Sequence, residues 1–291
     1  MLNMTDSLTF AITGASGFLG SHLSSFLEQE GYRVIRLSRN LASTNFSSNH
    51  YRYNLDQPIN EEHIKHADVL VHCAYDFKPT TRQEIFKKNV EKSVALFQTA
   101  KKMGIRRLIF ISSLSAFEKA RSYYGQAKYA TEELTKPLGV ISIRPGLLYD
   151  INAKGLVGSL QTLSRKLPIV PLIGNGHHPL YICKMGELCK LILSASTSAI
   201  TPSEPLVAAC DTEYTLKTLI RYFAATYHTK PLTLPIPTII IQTSLFLAEK
   251  MGISLPFRSD SIKSLLYVNE KINFTSHNKF NVEFTPLEEV L

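Results

Sequence analysis

Cysteine is scarce in these 291 residues, and no two of the four stand in a C-x-x-C pair. Cys73, Cys183, Cys189 and Cys210 each sit in apolar sequence such as VLVHCA and LVAAC, which argues against a zinc site and a disulfide framework and fits reduced, buried thiols of a cytoplasmic protein. Charge is sparse too: Asp, Glu, Lys and Arg make up 19% of the chain, with no run of five or six like charges. Lys and Arg still outnumber Asp and Glu by 32 to 24. The resulting +8 suits anionic partners, or is a basic surface that only affects solubility, and no nucleic-acid partner is expected.

Uninterrupted apolar runs long enough to cross a membrane are missing as well. Pro235 to Met251 comes nearest, but Gln242, Thr243 and Ser244 break it and Glu249 and Lys250 end it. It reads as a buried or amphipathic helix, with a peripheral membrane role as the minor alternative. MLNMTDSLTF carries Asp6 and no basic n-region, so the apolar stretch after it is expected to belong to the fold rather than to a signal peptide. No internal repeat or low-complexity segment appears.

What is present is 44% hydrophobic residues, enough for one large α/β domain or a large domain with a smaller lobe. Leu8, Phe10 and Ile12 alternate as in a short strand. Leu19, Leu23, Phe26 and Leu27 then recur at helical spacing, and Gly31 stops that helix, which spans 18 to 30. Strands are expected at Tyr32–Leu37, His50–Leu55, Asp68–Ala74, Arg107–Ser112 and Val140–Ile143, and helices at Arg82–Met103 and Ser122–Lys136. Strand and helix alternate with connections too long for hairpins, which requires right-handed crossovers and a doubly wound, mainly parallel sheet. Beyond Asp150 the alternation weakens, so a smaller C-terminal lobe is expected over 151–291, with segments near 175–215 returning to the first domain.

Two constellations carry chemistry. Thr13 to Gly20 reads TGASGFLG between the first strand and the first helix, with glycines at 14, 17 and 20 around Ser16. Gly14 permits the tight turn, Gly17 admits a pyrophosphate to the backbone N–H groups, and Gly20 lets the helix pack close to the sheet. The helix N-terminus then faces the anion. The second strand ends in Leu37, Ser38 and Arg39, with no acidic residue for a ribose 2′-hydroxyl. A hydroxyl followed by a guanidinium suits a 2′-phosphate, which favours NADP(H) over NAD(H), the alternative being that Arg39 is a solvated loop residue. In the second constellation, Tyr124 and Lys128 share one face of a helix, about a dozen residues after Ser112 and Ser113 at a strand end. A phenol of ordinary pKa ~10 is a poor acid-base group at neutral pH, but a nearby ammonium and an oxidised nicotinamide both favour its phenolate. Tyr124 could then exchange a proton with a substrate oxygen held by Ser113 while hydride moves to or from the nicotinamide.

Taken in this order, the motifs resemble the extended branch of the short-chain dehydrogenase/reductase superfamily, the NAD(P)-dependent epimerase/dehydratase family. TGASGFLG resembles its T-G-x-x-G-x-x-G, VHCA at 71–74 its H-x-A strand end, and Asn89 stands where the family has a helical Asn. ISSLSAF, YGQAK and IRPGLLY resemble its catalytic serine, Tyr-Lys pair and Arg-Pro strand end. The resemblance covers about 150 residues and continues more weakly to about 215. It implies a Rossmann fold, Ser113, Tyr124 and Lys128 as catalytic, and Gly14, Ser16, Gly17, Phe18, Leu19 and Gly20 at the pyrophosphate. By the same likeness Ser38 and Arg39 lie beside the adenosine ribose, Asn54 and Leu55 at the adenine, Cys73 and Ala74 along the middle of the cofactor, Lys128 at the ribose hydroxyls, and Pro145 and Gly146 beside the nicotinamide. A homodimer through the helices at 82–103 and 122–136 is implied in the same way.

Departures from the family pattern put the substrate in question. Asn54 replaces a usual Asp, KMGEL at 184–188 replaces H-V-D-D-L, Tyr149-Asp150 replaces Tyr-Gly, and only ten residues separate Ser113 from Tyr124. Leu114 and Ser115 offer no added acid or base, which disfavours a dehydratase. The leading expectation is an NAD(P)-dependent oxidoreductase acting on a secondary alcohol or ketone. A nucleotide-sugar epimerase with tightly bound NAD, its diphosphate met by Lys154, Arg165 or Lys166, is the enzymatic alternative. A non-catalytic structural, redox-sensing or RNA-binding protein is the other.

Overall fold

The computed structural model describes residues 8–39, 49–151, 153–251, 259–269 and 271–288. β1 (Thr9–Thr13) leads into α1 (Phe18–Gln29), and β2 (Arg33–Ser38), β3 (His50–Arg52) and β4 (Val69–His72) follow. The expected helix over 82–103 is continuous but not uniform. α2 (Arg82–Ile85) passes through a π-helical stretch, Phe86–Glu91, into α3 (Lys92–Lys102). β5 (Arg107–Ile111), α4 (Tyr123–Thr135), β6 (Ile141–Pro145) and β7 (Leu147–Tyr149) complete the first half. The second half holds α5 (Gly155–Lys166), β8 (Ile169–Ile173), β9 (Ile182–Lys184), α6 (Met185–Thr197), β10 (Leu206–Ala208), α7 (Leu216–Thr226), β11 (Leu232–Ile236), α8 (Thr238–Lys250) and α9 (Ser259–Leu266).

Seven strands form a parallel sheet in the order β10-β6-β5-β4-β1-β2-β3, a Rossmann-type α/β architecture. The central strands are apolar on both faces because both are covered. On one face Phe10, Ile12, Val69 and Val71 pack with α1 and α6. On the other, Ala11, Leu37, Leu70 and Phe110 meet Leu96 and Phe97 of α3. β10 joins the sheet from residue 206 onward, and Phe280 and Phe284 also enter the first core. A separate core unites α5, β8 and α7 through Leu160, Val170, Leu219 and Phe223.

Two expectations are corrected. The third strand is three residues long, because Asn54 turns the chain by accepting a bond from the Asp56 N–H at 2.8 Å. The segment 235–251 is not one helix: Pro235 and Ile236 end β11, and α8 begins at Thr238 behind Pro237. Nor are its apolar residues mostly buried, since Ile239, Ile240, Phe246 and Leu247 are exposed. Among the described residues, no helix is long and apolar enough to cross a membrane.

Candidate active site

The chain runs from β1 to β2 and β3 on one side, and from β4 to β5 and β6 on the other. The crevice between β1 and β4 is therefore the place where a parallel sheet holds ligands. Gly14, just after β1, has φ of +69°, a conformation that favours glycine. A Cβ there would stand 2.9 Å from the Ala74 nitrogen, so the glycine lets the turn lie against the end of β4. The Gly17 N–H closes the turn on the Gly14 carbonyl at 2.8 Å. α1 then begins with Gly17 as its N-cap, without a side-chain cap and without an acidic residue in its first turn. Its free N–H groups and the positive end of its dipole are thus left for an anion. Ser16 and Gly17 are exposed, whereas Leu19 and Gly20 are buried, so the first pair is open to solvent and the second supports the turn.

Gly20 has a measurable role in that support. A Cβ at this position would lie 2.2 Å from the Gly14 carbonyl oxygen. Gly20→Ala must displace the backbone turn, because no flexible side chain is there to yield. It is expected to weaken dinucleotide binding at least about tenfold and cost ~1–3 kcal/mol of stability, measured by nicotinamide fluorescence titration and thermal unfolding. Wild-type binding by the variant would disprove the tight packing.

Behind the turn a buried polar chain fixes the loop ends. The Thr13 hydroxyl accepts from the Ala74 N–H at 3.3 Å and donates to His72 Nδ1 at 2.6 Å. The other imidazole nitrogen donates to Ser93 Oγ at 2.8 Å, and Ser93 donates to the Asn89 carbonyl at 2.5 Å. Burial pushes His72 down to about 3, so it acts as a neutral strut. Asn89 lies in the π-helical turn and holds the β4 loop at both backbone atoms of Asp76, accepting from its N–H at 2.7 Å and donating to its carbonyl at 3.0 Å. Its position explains a helical Asn as a loop clamp.

Around the end of β2, the residues expected at the adenosine have partners within the protein. Ser38 is buried and its hydroxyl lies 2.7 Å from His50 Nε2, so that hydroxyl is already engaged. Arg39 is exposed, with its guanidinium 3.7 Å from Asp76, whose carboxylate also pairs with Lys88 at 2.9 Å. Asn54 is spent partly on its own turn, and Leu55 is core. Cys73 and Ala74 border the glycine turn.

Ser113, Tyr124 and Lys128 come together beyond the ends of β5 and β6. Lys128 is buried and donates to the Ile111 carbonyl at 2.6 Å. Its ammonium also lies 4.6 Å from the centre of the Phe110 ring, 5.1 Å from that of Tyr75 and 5.8 Å from that of Tyr124. Burial pushes it down to about 8, with Cys73 and Glu132 pulling upward. Glu132, one turn further along α4, is itself buried against Arg144, whose Nε reaches Oε1 at 2.9 Å. Burial raises the Glu132 carboxyl above its ordinary value even with Arg144 in place. For Tyr124 the expected acidification is not the state of the ligand-free protein. Burial pushes the phenol up to about 12, against the opposing effect of a hydrogen bond with Ser113. Ser113 is held in turn by the Ser115 N–H, which donates to its hydroxyl at 3.1 Å.

Three contributors had no clear mark in the sequence. Asp260 of α9 accepts from the Tyr123 and Tyr124 N–H groups at 2.8 and 2.9 Å, adding a charged cap to the helix that carries the tyrosine. Tyr75 and Phe77 pack on the Tyr124 ring at centroid distances of 5.0 and 6.0 Å. These groups border a cavity of about 590 Å³, walled by Ser113, Tyr124, Pro145 and Gly146 on one side and by Leu147, Leu156, Leu180 and Leu265 on the other. Among the described residues its charged lining groups are Asp76 and Asp260, and none is a cation. No group of His, Cys, Asp or Glu among the described residues is placed to hold a metal ion.

Residues 10–140 match the NAD dependent epimerase/dehydratase family. The chain is 28% identical over 247 residues to a ceramide reductase of Caulobacter vibrioides, covering 81% of this chain and 76% of that protein. At 22% identity, 99% of the chain aligns with 84% of the mitochondrial NADH dehydrogenase [ubiquinone] 1 alpha subcomplex subunit 9 of Dictyostelium discoideum. In fold it is similar to MoeE5 in complex with UDP-glucuronic acid and NAD, with a TM-score of 0.71 and 17% identity over 94% of this chain and 97% of that one. The epimerase Mth375 of Methanothermobacter thermautotrophicus gives a TM-score of 0.68 and 14% identity over 95% and 93%.

Proposed function

We propose that this protein is an NADP(H)-using oxidoreductase of apolar ketones and the matching secondary alcohols, with Ser113, Tyr124 and Lys128 as its catalytic group. The observation that carries the substrate class is the cavity wall: aliphatic and aromatic side chains, two carboxylates, and no cation among the described residues. A nucleotide sugar would bring a diphosphate, which needs charge-assisted donors to replace its water. Asp76 and Asp260 offer it no donor, and the cations beside Asp76, Lys88 and Arg39, are already paired with that carboxylate. The 28% identity to a ceramide reductase agrees with an apolar substrate.

The glycine turn and the uncapped end of α1 would hold the dinucleotide pyrophosphate, and Arg39 a 2′-phosphate. When bound, the nicotinamide supplies or accepts the hydride. In the reductive direction Ser113 orients the ketone oxygen and Tyr124 gives it a proton. A phenol lifted to about 12 holds its proton at neutral pH and so has it to give, while the nearby ammonium of Lys128 is what makes it a stronger acid in that step. Lys128 stabilises the phenolate left behind, and Asp260 and Asn89 keep the helix and loop in register.

The test follows NADPH and NADH binding by fluorescence, then NADPH oxidation with medium- and long-chain ketones beside UDP-glucose epimerisation. The expected result is ketone-dependent oxidation without epimerisation. Arg39→Ala should lower NADPH affinity about tenfold, one charge-assisted phosphate contact, and leave NADH affinity unchanged. Epimerisation of UDP-glucose, or binding of neither dinucleotide, would overturn the proposal. The likeness over 99% of the chain to a protein named as an NADH dehydrogenase subunit supports a second reading, a dinucleotide-binding subunit without turnover, which would bind NADPH and reduce no ketone.

A further inference from the structure

We infer that the outer face formed by β11, β8 and α8 docks on an anionic lipid bilayer. Parallel pairing of β11 with β8 sets Leu232 beside Ile169 and Leu234 beside Pro171. Residues two apart share a face of a strand, and here the alternate positions Val170 and Leu172 are buried while Leu232, Leu234 and Ile169 are 71%, 55% and 50% exposed. The small sheet thus turns one apolar face inward and a second one outward. The chain continues directly into α8, which repeats the arrangement. Ile241, Leu245 and Ala248 face inward, and Ile239, Ile240, Phe246 and Leu247 are exposed on the other side, with Met251 at the end. Exposed apolar residues gathered within 20 positions are unlike the single scattered ones of an ordinary surface.

Charge selects the partner. Residues 151–186 contain Lys154, Arg165, Lys166 and Lys184 and no Asp or Glu; residues 214–248 contain Lys217, Arg221 and Lys230 and again no Asp or Glu. These two stretches, which build β8, β11 and most of α8, therefore hold nearly all of the chain's +8. Lys166 and Lys230 are exposed and flank the same end of the small sheet, where the Leu232 N–H bonds to the Pro168 carbonyl at 2.8 Å. Apolar side chains flanked by Lys166 and Lys230 match the interface of a bilayer with anionic headgroups. They match a second copy of the chain poorly, since a two-fold contact would bring like charges together. At 13 residues, α8 is about 20 Å long by its helical rise and too short to span the bilayer, so it lies along the surface.

The location also serves the cavity. α8 joins α9 where the Glu249 carboxylate accepts from the Ser259 N–H and hydroxyl, each at 2.8 Å, and α9 lines the cavity through Ser261, Ser264 and Leu265. α9 thus links the docked face to the cavity that holds Tyr124, which suits an apolar substrate drawn from the bilayer, a consequence that rests on the proposed substrate class; the docking itself does not.

The test is flotation of the full chain with vesicles of phosphatidylcholine alone and of phosphatidylcholine with phosphatidylglycerol, at low and high salt. Binding should require phosphatidylglycerol and weaken with salt. Ile240→Ser/Leu247→Ser and Lys166→Glu/Lys230→Glu should each lower it at least about tenfold, with the thermal midpoint and turnover of a water-soluble ketone unchanged. No flotation, equal flotation on neutral vesicles, or undiminished binding by both variants would overturn the inference. So would a wild-type dimer that Ile240→Ser/Leu247→Ser converts to monomer without affecting vesicle binding. Docking without turnover of any ketone would sink only the proposed function.

Discussion

Tyr124→Phe should reduce ketone turnover by about 10²- to 10⁴-fold, the range typical for loss of a positioned proton donor. NADPH affinity should stay within about twofold, because the phenol oxygen is the only atom removed and the ring retains its contacts with Tyr75 and Phe77. The pH profile makes the role specific. Lys128 is pushed down to about 8 by burial, so its ammonium is present below that value and lost above it. Turnover in the reductive direction should therefore fall as pH rises through about 8, and the residual rate of Tyr124→Phe should not follow that curve, because no phenolate remains for the ammonium to stabilise. Single-turnover NADPH oxidation across pH 6 to 10, an interval chosen to bracket ~8, reads both effects. A variant with full activity, or one that loses dinucleotide affinity equally, would place the proton elsewhere.

Sequence patterns revealed this framework unevenly, for physical reasons. The alternation of short apolar strands with amphipathic helices prescribes a parallel sheet, and glycines at 14, 17 and 20 prescribe the turn, because backbone sterics act over a few residues. The same is true of Tyr124 and Lys128, one helical turn apart on α4. Asp260 is different: its partners are the N–H groups of residues 123 and 124, and a helix cap supplied from more than 130 positions away leaves no periodic trace. The charge of the cavity was equally hidden, since it depends on which loops fold over the sheet edge. Lys154, Arg165 and Lys166 looked available for a diphosphate along the sequence, yet none of them lines the cavity that contains Tyr124. Burial altered the chemistry too. Spacing puts an ammonium near the phenol, but only the enclosure of both groups shows that burial raises the phenol and lowers the ammonium.

The second large effect belongs to Glu132, which no motif includes. Its carboxylate is 3% exposed and receives both Nε and Nη2 of Arg144, whose side chain is 17% exposed. Removing one member leaves the other without its partner inside the protein. Glu132→Ala is expected to cost ~3–5 kcal/mol, a fall in Tm of roughly 6–15 °C, and to weaken catalysis through Lys128, which loses a neighbouring negative charge. The pair is nevertheless not a net source of stability. Burial raises the carboxyl above its ordinary 4.5 despite the guanidinium beside it, so desolvation outweighs the attraction. A raised carboxyl contributes stability below 4.5 that is lost as pH rises through its folded value, which leaves the ionised pair at a disadvantage at neutral pH. The double variant Glu132→Leu/Arg144→Met should accordingly recover most of the lost Tm without recovering activity. That separation assigns Glu132 a positioning role, since a merely structural residue would regain both together. Thermal unfolding of the wild type, the single variant and the double variant, with turnover measured on each, decides between the two.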